Sequence, residues 1–159
     1  MQTFIEKALD HSPFWDVCCD HGYVGIGALY TKRFSHVHFV DQVPHIIERL
    51  DQLIKQSPDF KEDFPYSLHT MSGESLDGDI TGTFLIAGVG GMTIKNILSA
   101  ALKKETLKAQ RLLLSPHTDE AVMSAYIMSE DFKTYYSIKE RLMLLDGKKH
   151  RPLYILDRN

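Results

Sequence analysis

The chain has 159 residues, enough for one domain with a sizeable core. Hydrophobic residues at 43% and charged residues at 25% fit a globular protein, and no apolar run reaches the roughly 18 residues of a membrane span. The formal net charge of -3 weighs against a protein that grips nucleic acid by bulk charge, but it leaves room for a local basic patch.

Short apolar runs alternate with helix-like segments, the pattern of an α/β domain. A first helix is predicted over Thr3 to Asp10, ended by His11-Ser12-Pro13. Phe14 to Cys19 reads as a buried strand, and a helix follows Gly22 through Lys32. Val37 to Val40 is the next strand, closed by Asp41. Pro44 opens a helix whose Ile46, Ile47, Leu50, Leu53 and Ile54 share one face, broken by Ser57-Pro58-Asp59. Tyr66 to Met71 and Thr83 to Ala87 read as strands, with a helix from Thr93 to about Leu102. Arg111 to Ser115 is a further strand, stopped by Pro116. Thr118 or Asp119 is expected to cap a helix running to Ser129. The tail alternates through Tyr136–Lys139 and Leu142–Leu145, turns at Asp146-Gly147 and pairs back over Pro152–Leu156. Right-handed crossovers place the first five strands parallel in one sheet, with an antiparallel C-terminal hairpin.

Five stretches carry chemistry, and in an open α/β sheet a ligand sits beyond the carboxyl ends of the strands. The first, Asp16-Val17-Cys18-Cys19-Asp20-His21-Gly22-Tyr23, puts acids in a tight turn. A carboxylate there suits the amino group of a bound amino acid and repels the pyrophosphate of a dinucleotide. Asp20 could equally be a helix cap. The second is Asp41 with Gln42, where a carboxylate at the end of the second strand can accept both ribose hydroxyls of an adenosine or simply cap the strand. In the third, Gly73-Glu74-Ser75-Leu76, an acid can bind an adenine amino group or lie in solvent. The fourth, Ala87-Gly88-Val89-Gly90-Gly91, lets backbone come close to ligand. The fifth, Ser115-Pro116-His117, offers hydrogen bonds to a target base, although a lone histidine is often structural. The eight histidines are scattered and no metal cluster stands out; a Walker lysine loop and a nucleophile elbow are also missing. Two basic groupings, Lys103, Lys104, Lys108 and Arg111, then Lys139, Arg141, Lys148, Lys149 and Arg151, are either candidate patches or solvated faces. The adjacent Cys18 and Cys19, with no third thiol and no signal peptide at Met1–Lys7, point to the cytoplasm.

In order along nearly the whole chain, these stretches resemble the bacterial tRNA adenine-N1 methyltransferase family that modifies adenine 22. The resemblance rests on Asp16 to Tyr23, Gly73-Glu74-Ser75-Leu76, Ala87 to Gly91, Ser115-Pro116-His117 and Asp146-Gly147-Lys148. It implies a Rossmann-like class I methyltransferase fold, a mostly parallel seven-stranded sheet with helices on both faces, and S-adenosylmethionine as cofactor. The implied cofactor residues are Asp16, Asp20, His21, Gly22, Asp41, Gln42, Glu74, Ser75, Gly88, Gly90 and Gly91. Asp20, Ser115 and His117 are the implied catalytic residues, no metal is implied, and tRNA is the implied partner. Three departures stand out: Cys18 replaces a glycine, Ser115 and His117 replace an amide pair, and the family's C-terminal helical tRNA-binding domain has no counterpart before Asn159. These departures leave open a separate helper subunit or another substrate. They also leave open a second class of function, a cofactor-binding module without turnover; a nicotinamide oxidoreductase is the third.

Overall fold

The computed structural model of the chain describes residues 1–60 and 65–159. Seven strands form one sheet: β1 (Pro13–Val17), β2 (His36–Asp41), β3 (Tyr66–Thr70), β4 (Thr83–Ala87), β5 (Arg111–Ser115), β6 (Tyr136–Asp146) and β7 (Lys149–Arg158). Their order is β3-β2-β1-β4-β5-β7-β6. The first five are parallel, as expected, and β7 runs antiparallel to both β5 and β6. The strand order reverses at β1, between β2 and β4, so a crevice opens above the carboxyl ends of these strands.

Among the described residues, six α-helices cover the two faces: α1 (Gln2–Lys7), α2 (Tyr23–Thr31), α3 (Pro44–Gln56), α4 (Gly91–Lys103), α5 (Glu120–Ile127) and α6 (Glu130–Lys133). Side chains alternate along each strand, so each strand feeds two cores. Phe14, Phe39, Leu85 and Leu113 pack with Ile5, Leu29, Ile47 and Leu50 of α1–α3. Trp15, Val40, Phe84 and Leu112 pack with Ile94, Ile97, Met123 and Phe132 of α4–α6. Asp16 falls between Trp15 and Val17 in this alternation, so it faces α2, where the Gly25 N–H donates to it at 2.8 Å. Gly25 also lets α2 lie close on the sheet, since a Cβ there would meet the Phe39 ring at 2.3 Å.

Three expectations about elements need correction. The first helix ends at Lys7 because the chain turns extended at Ala8, and the Leu9 N–H donates to Thr83 Oγ1 instead of a helical carbonyl. The helix expected to run to Ser129 stops at Ile127 as α5, and a separate short helix, α6, begins just beyond Ser129. Ser129 caps α6 by accepting the Phe132 N–H, while Thr118 donates to the Asp119 carboxylate and neither caps α5 by its side chain. The two short tail strands are one eleven-residue β6 with a register shift between Ile138 and Glu140.

Candidate active site

The β1–α2 loop is fastened from below by β2. Cys19 N–H donates to the Val40 carbonyl at 3.1 Å, and Gly22 N–H to the Cys19 carbonyl at 2.7 Å. Asp41, buried at the end of β2, accepts the Asp20 N–H on one oxygen (3.1 Å) and the Val43 N–H on the other (3.0 Å). The turn is tight enough to hold Cys18 at φ 59° and Asp20 at φ 48°. Left-handed backbone costs an L-residue about 1–2 kcal/mol, and aspartate tolerates it better than cysteine. Asp20 and His21 project outward and pair at 2.8 Å.

Three carboxylates surround Cys18. Burial pushes its thiol up to about 12, and Asp41, Glu74 and Asp16 push in the same direction. Cys19 is also raised, first by burial. Both therefore stay thiols, and neither serves as a nucleophile at neutral pH. Burial lifts the Asp16 carboxyl to about 7 against the Gly25 N–H, which lowers it, while Asp41 adds to the rise.

A cleft of about 510 Å³ opens above β1, β4 and β5. It gathers Asp16, Asp20 and His21 from the first loop, Gly88 from the end of β4, and Ser115 and His117 from the end of β5. Leu145, Asp146 and Arg151 of the β6–β7 hairpin close one side, with Met1 and Phe4 of the N-terminal segment. Of these closing residues, Asp146 belongs to the turn motif and Arg151 to the second basic grouping, while Met1, Phe4 and Leu145 carry no functional signal in the sequence. Arg151 donates to the His117 carbonyl at 2.7 Å, and burial, then Arg151, lowers the His117 imidazole pKa.

Asp41, Gln42, Glu74 and Ser75 do not line this cleft; they stand at the ends of β2 and β3, with Asp41 and Glu74 acting on Cys18 from that side. Ser75 pairs its hydroxyl with Ser72 at 2.9 Å, and Lys104 holds the Glu74 carbonyl at 2.8 Å. Gly22 also lies outside the cleft, with Leu50 2.4 Å from where its Cβ would be.

The glycine run after β4 divides in two. Gly88, at φ 82°, is open: an added Cβ would have only His117 Cε1 within reach, at 4.0 Å. Gly90 and Gly91 face the β5–α5 loop instead, and a Cβ on Gly91 would strike the Asp119 carbonyl at 2.2 Å. The loops after β4 and β5 run side by side there, bonded through Gly88, His117 and Gly91 N–H groups.

Of the first basic grouping, three members are used within the fold and Lys103 is exposed. Lys104 holds carbonyls, Lys108 pairs with Asp79, and Arg111 pairs with Asp157. In the second, Lys139 and Arg141 pair with Asp157 and Glu120, while Lys148 and Lys149 stay exposed at the hairpin turn. Among the described residues, no group of histidine, cysteine and carboxylate side chains is placed to hold a metal ion, and no helix is long and apolar enough to cross a membrane.

A family model described as a methyltransferase domain matches residues 1–151. The chain belongs to the methyltransferase domain family. A comparison with curated proteins found no match. Among solved structures, the chain is similar to the M1A22 tRNA methyltransferase TrmK of Bacillus subtilis, with a TM-score of 0.80 at 18% identity over 99% of this chain and 64% of that one. It is similar to TrmK of M. capricolum in complex with S-adenosyl-homocysteine, with a TM-score of 0.77 at 16% identity over 99% and 67%. It also resembles the magnesium protoporphyrin IX methyltransferase of Synechocystis with bound SAM, with a TM-score of 0.74 at 14% identity over 99% and 77%. At these identities the likeness establishes the fold. This chain spans 64% of the length of the Bacillus subtilis protein.

Proposed function

We propose that this methyltransferase domain uses S-adenosylmethionine to methylate N1 of adenine in tRNA. The observation that carries the reading is the placement of Asp41 and Glu74 on one side of the β1 loop and of Asp16, Asp20, Gly88, Ser115 and His117 around the cleft on the other. This division suits a nucleoside on the first side and an amino-acid end with a target base on the second. The protein groups fit such a cofactor. Each oxygen of Asp41 accepts one backbone N–H and keeps a lone pair for a ribose hydroxyl. Gly88 leaves the cleft wall open, and the buried Asp16 carboxylate gains a partner when a cationic amino group comes near.

When bound, S-adenosylmethionine supplies an electrophilic methyl group. The chain's task is then alignment, which is worth up to about 7–11 kcal/mol in model systems. Adenine N1 already carries a lone pair, so no base is required to expose it. Ser115 and His117 orient the target ring at the end of β5, and Gly88 lets it approach. Asp20 stands where a carboxylate stabilises the positive charge that N1-methylation places on the ring. The tRNA body is held by segments beyond this unit or by a helper subunit, in the cytoplasm.

The test is a calorimetric titration with S-adenosylhomocysteine, with NADH as control, followed by methyl transfer to unmodified tRNA. Saturable binding of S-adenosylhomocysteine alone, with transfer to adenine N1, is the expected result. Binding without transfer to any tRNA favours a module without turnover, the reading that Cys18 in its left-handed turn supports. Binding of NADH alone sinks both.

A further inference from the structure

A second cavity, of about 180 Å³, lies between α2 and α3 and shares a wall with the cleft, since Asp20, His21 and Tyr23 line both. Its floor is the buried Leu50, the exposed Leu53 adds apolar surface beside it, and the lining also carries His45 and Arg49 of α3. Arg49 is exposed and, among the described residues, has no ion-pair or hydrogen-bond partner. The one acid of the lining, Asp20, is engaged by His21. Tyr23 is 68% exposed, unusual for so large a ring, and lies parallel to the His21 imidazole with centroids 5.5 Å apart. A flat, exposed ring beside an apolar floor takes a nucleobase, and an unpaired guanidinium beside an imidazole N–H takes a phosphate. The small volume admits one base.

We propose that this cavity receives the nucleotide adjacent to the methylated one in an RNA substrate, its base against Tyr23 and His21 and its phosphate against Arg49 and His45. The inference rests on the RNA-methylation reading and adds to it a contact in the cavity next to the reaction cleft, across their shared wall. Because the wall between the two cavities is a single loop, holding a neighbour here fixes the direction in which the target base enters. An acidic peptide would use Arg49 but would leave the Tyr23 face unfilled.

The experiment measures binding of fluorescent hexa-adenylate RNA, and of deacylated bulk tRNA, to the full chain saturated with S-adenosylhomocysteine, across a salt series. Arg49→Gln is expected to weaken binding about fivefold and to flatten the slope of log affinity on log salt by about 0.7, the share of one single-strand phosphate. Tyr23→Ser is expected to weaken binding about tenfold with the salt slope unchanged, as loss of stacking does. S-adenosylhomocysteine affinity of Arg49→Gln is expected to match the parent. If both variants bind RNA like the parent, the cavity is not a nucleotide site, while the methyl-transfer reading stands. If Arg49→Gln loses S-adenosylhomocysteine affinity, the cavity belongs to the cofactor and the proposal is overturned. If the parent binds S-adenosylhomocysteine but neither RNA at low salt, the RNA reading itself fails, and this inference with it.

Discussion

Asp41 does two jobs with one carboxylate. Its two oxygens hold the Asp20 and Val43 N–H groups, which shape the loop, and their remaining lone pairs are the ones assigned to ribose. Asp41→Ala is therefore expected to weaken S-adenosylhomocysteine binding by about 2 kcal/mol and to lower folding stability by about 1–2 kcal/mol, since two backbone donors lose a charged acceptor. Calorimetry and urea unfolding measure the two separately; unchanged affinity in the folded variant removes Asp41 from the ribose. Cys18 gives a prediction of opposite sign. Its φ of 59° is one that glycine adopts freely. Cys18→Gly relieves about 1–2 kcal/mol of backbone cost and returns part of it through the freer unfolded chain and a lost contact with the core. A net gain of about 0.5–1 kcal/mol is expected, read as a rise in melting temperature, with tighter S-adenosylhomocysteine binding as the loop opens. A lower melting temperature would show that the thiol's packing outweighs the strain.

At the scale of elements, the loops after β4 and β5 behave as one unit. The Gly88, His117 and Gly91 N–H groups bond from one loop to the other, and Gly90 pairs with Thr118 as a parallel bridge. Two glycine variants separate packing from function. Gly91→Ala drives a Cβ against the Asp119 backbone, so it is expected to cost about 2–3 kcal/mol of stability. Gly88→Ala meets no atom closer than 4.0 Å and suffers only its φ of 82°, about 1 kcal/mol, yet it puts a methyl group into the cleft. Its larger loss is expected in methyl-transfer rate. Denaturant midpoints and initial rates for the two variants check this; equal loss of rate at equal stability would place both glycines at the site.

At the scale of the whole molecule, a buried carboxyl and a half-buried imidazole oppose each other across pH. Asp16 has a folded pKa of about 7 against the ordinary 3.8 of an aspartate, so the folded state holds its proton longer and stability falls as pH rises from about 4 to 7, by about 4 kcal/mol in all. His38, stacked on Trp15 with centroids 3.7 Å apart, is lowered to about 3 by burial, then by His36 and His69. Its stabilising share is complete above 6.5 and is lost as pH falls from 6.5 toward 3. Between pH 4.5 and 7 the two act in opposite directions, so the unfolding free energy of the parent is expected to move less than Asp16 alone would move it. Asp16→Asn keeps an acceptor for Gly25 and removes the falling limb, so its stability is expected to climb over the same range. Urea unfolding at several pH values checks the difference. A variant as flat as the parent would show that Asp16 ionises freely in the fold.

Local pattern by itself determined the α/β alternation, the five parallel strands and the antiparallel ending. Each rests on short-range signals: apolar runs of strand length, helical spacing in α3 and α4, and Asp146-Gly147 at the turn. The acidic loop from Asp16 to Asp20 and the cleft positions of Gly88, Ser115 and His117 were legible for the same reason, because strand ends in such a sheet converge. Only the tertiary structure divided the glycine run, since Gly91 answers to Asp119 and Gly88 to open space, and glycine spacing carries no record of which neighbour arrives. It alone placed β7 between β5 and β6 and so brought Leu145 and Arg151 over the cleft. It alone set Arg49 of α3 beside Tyr23 of α2, a meeting that depends on how two helices pack on one face of the sheet and leaves no trace in either segment.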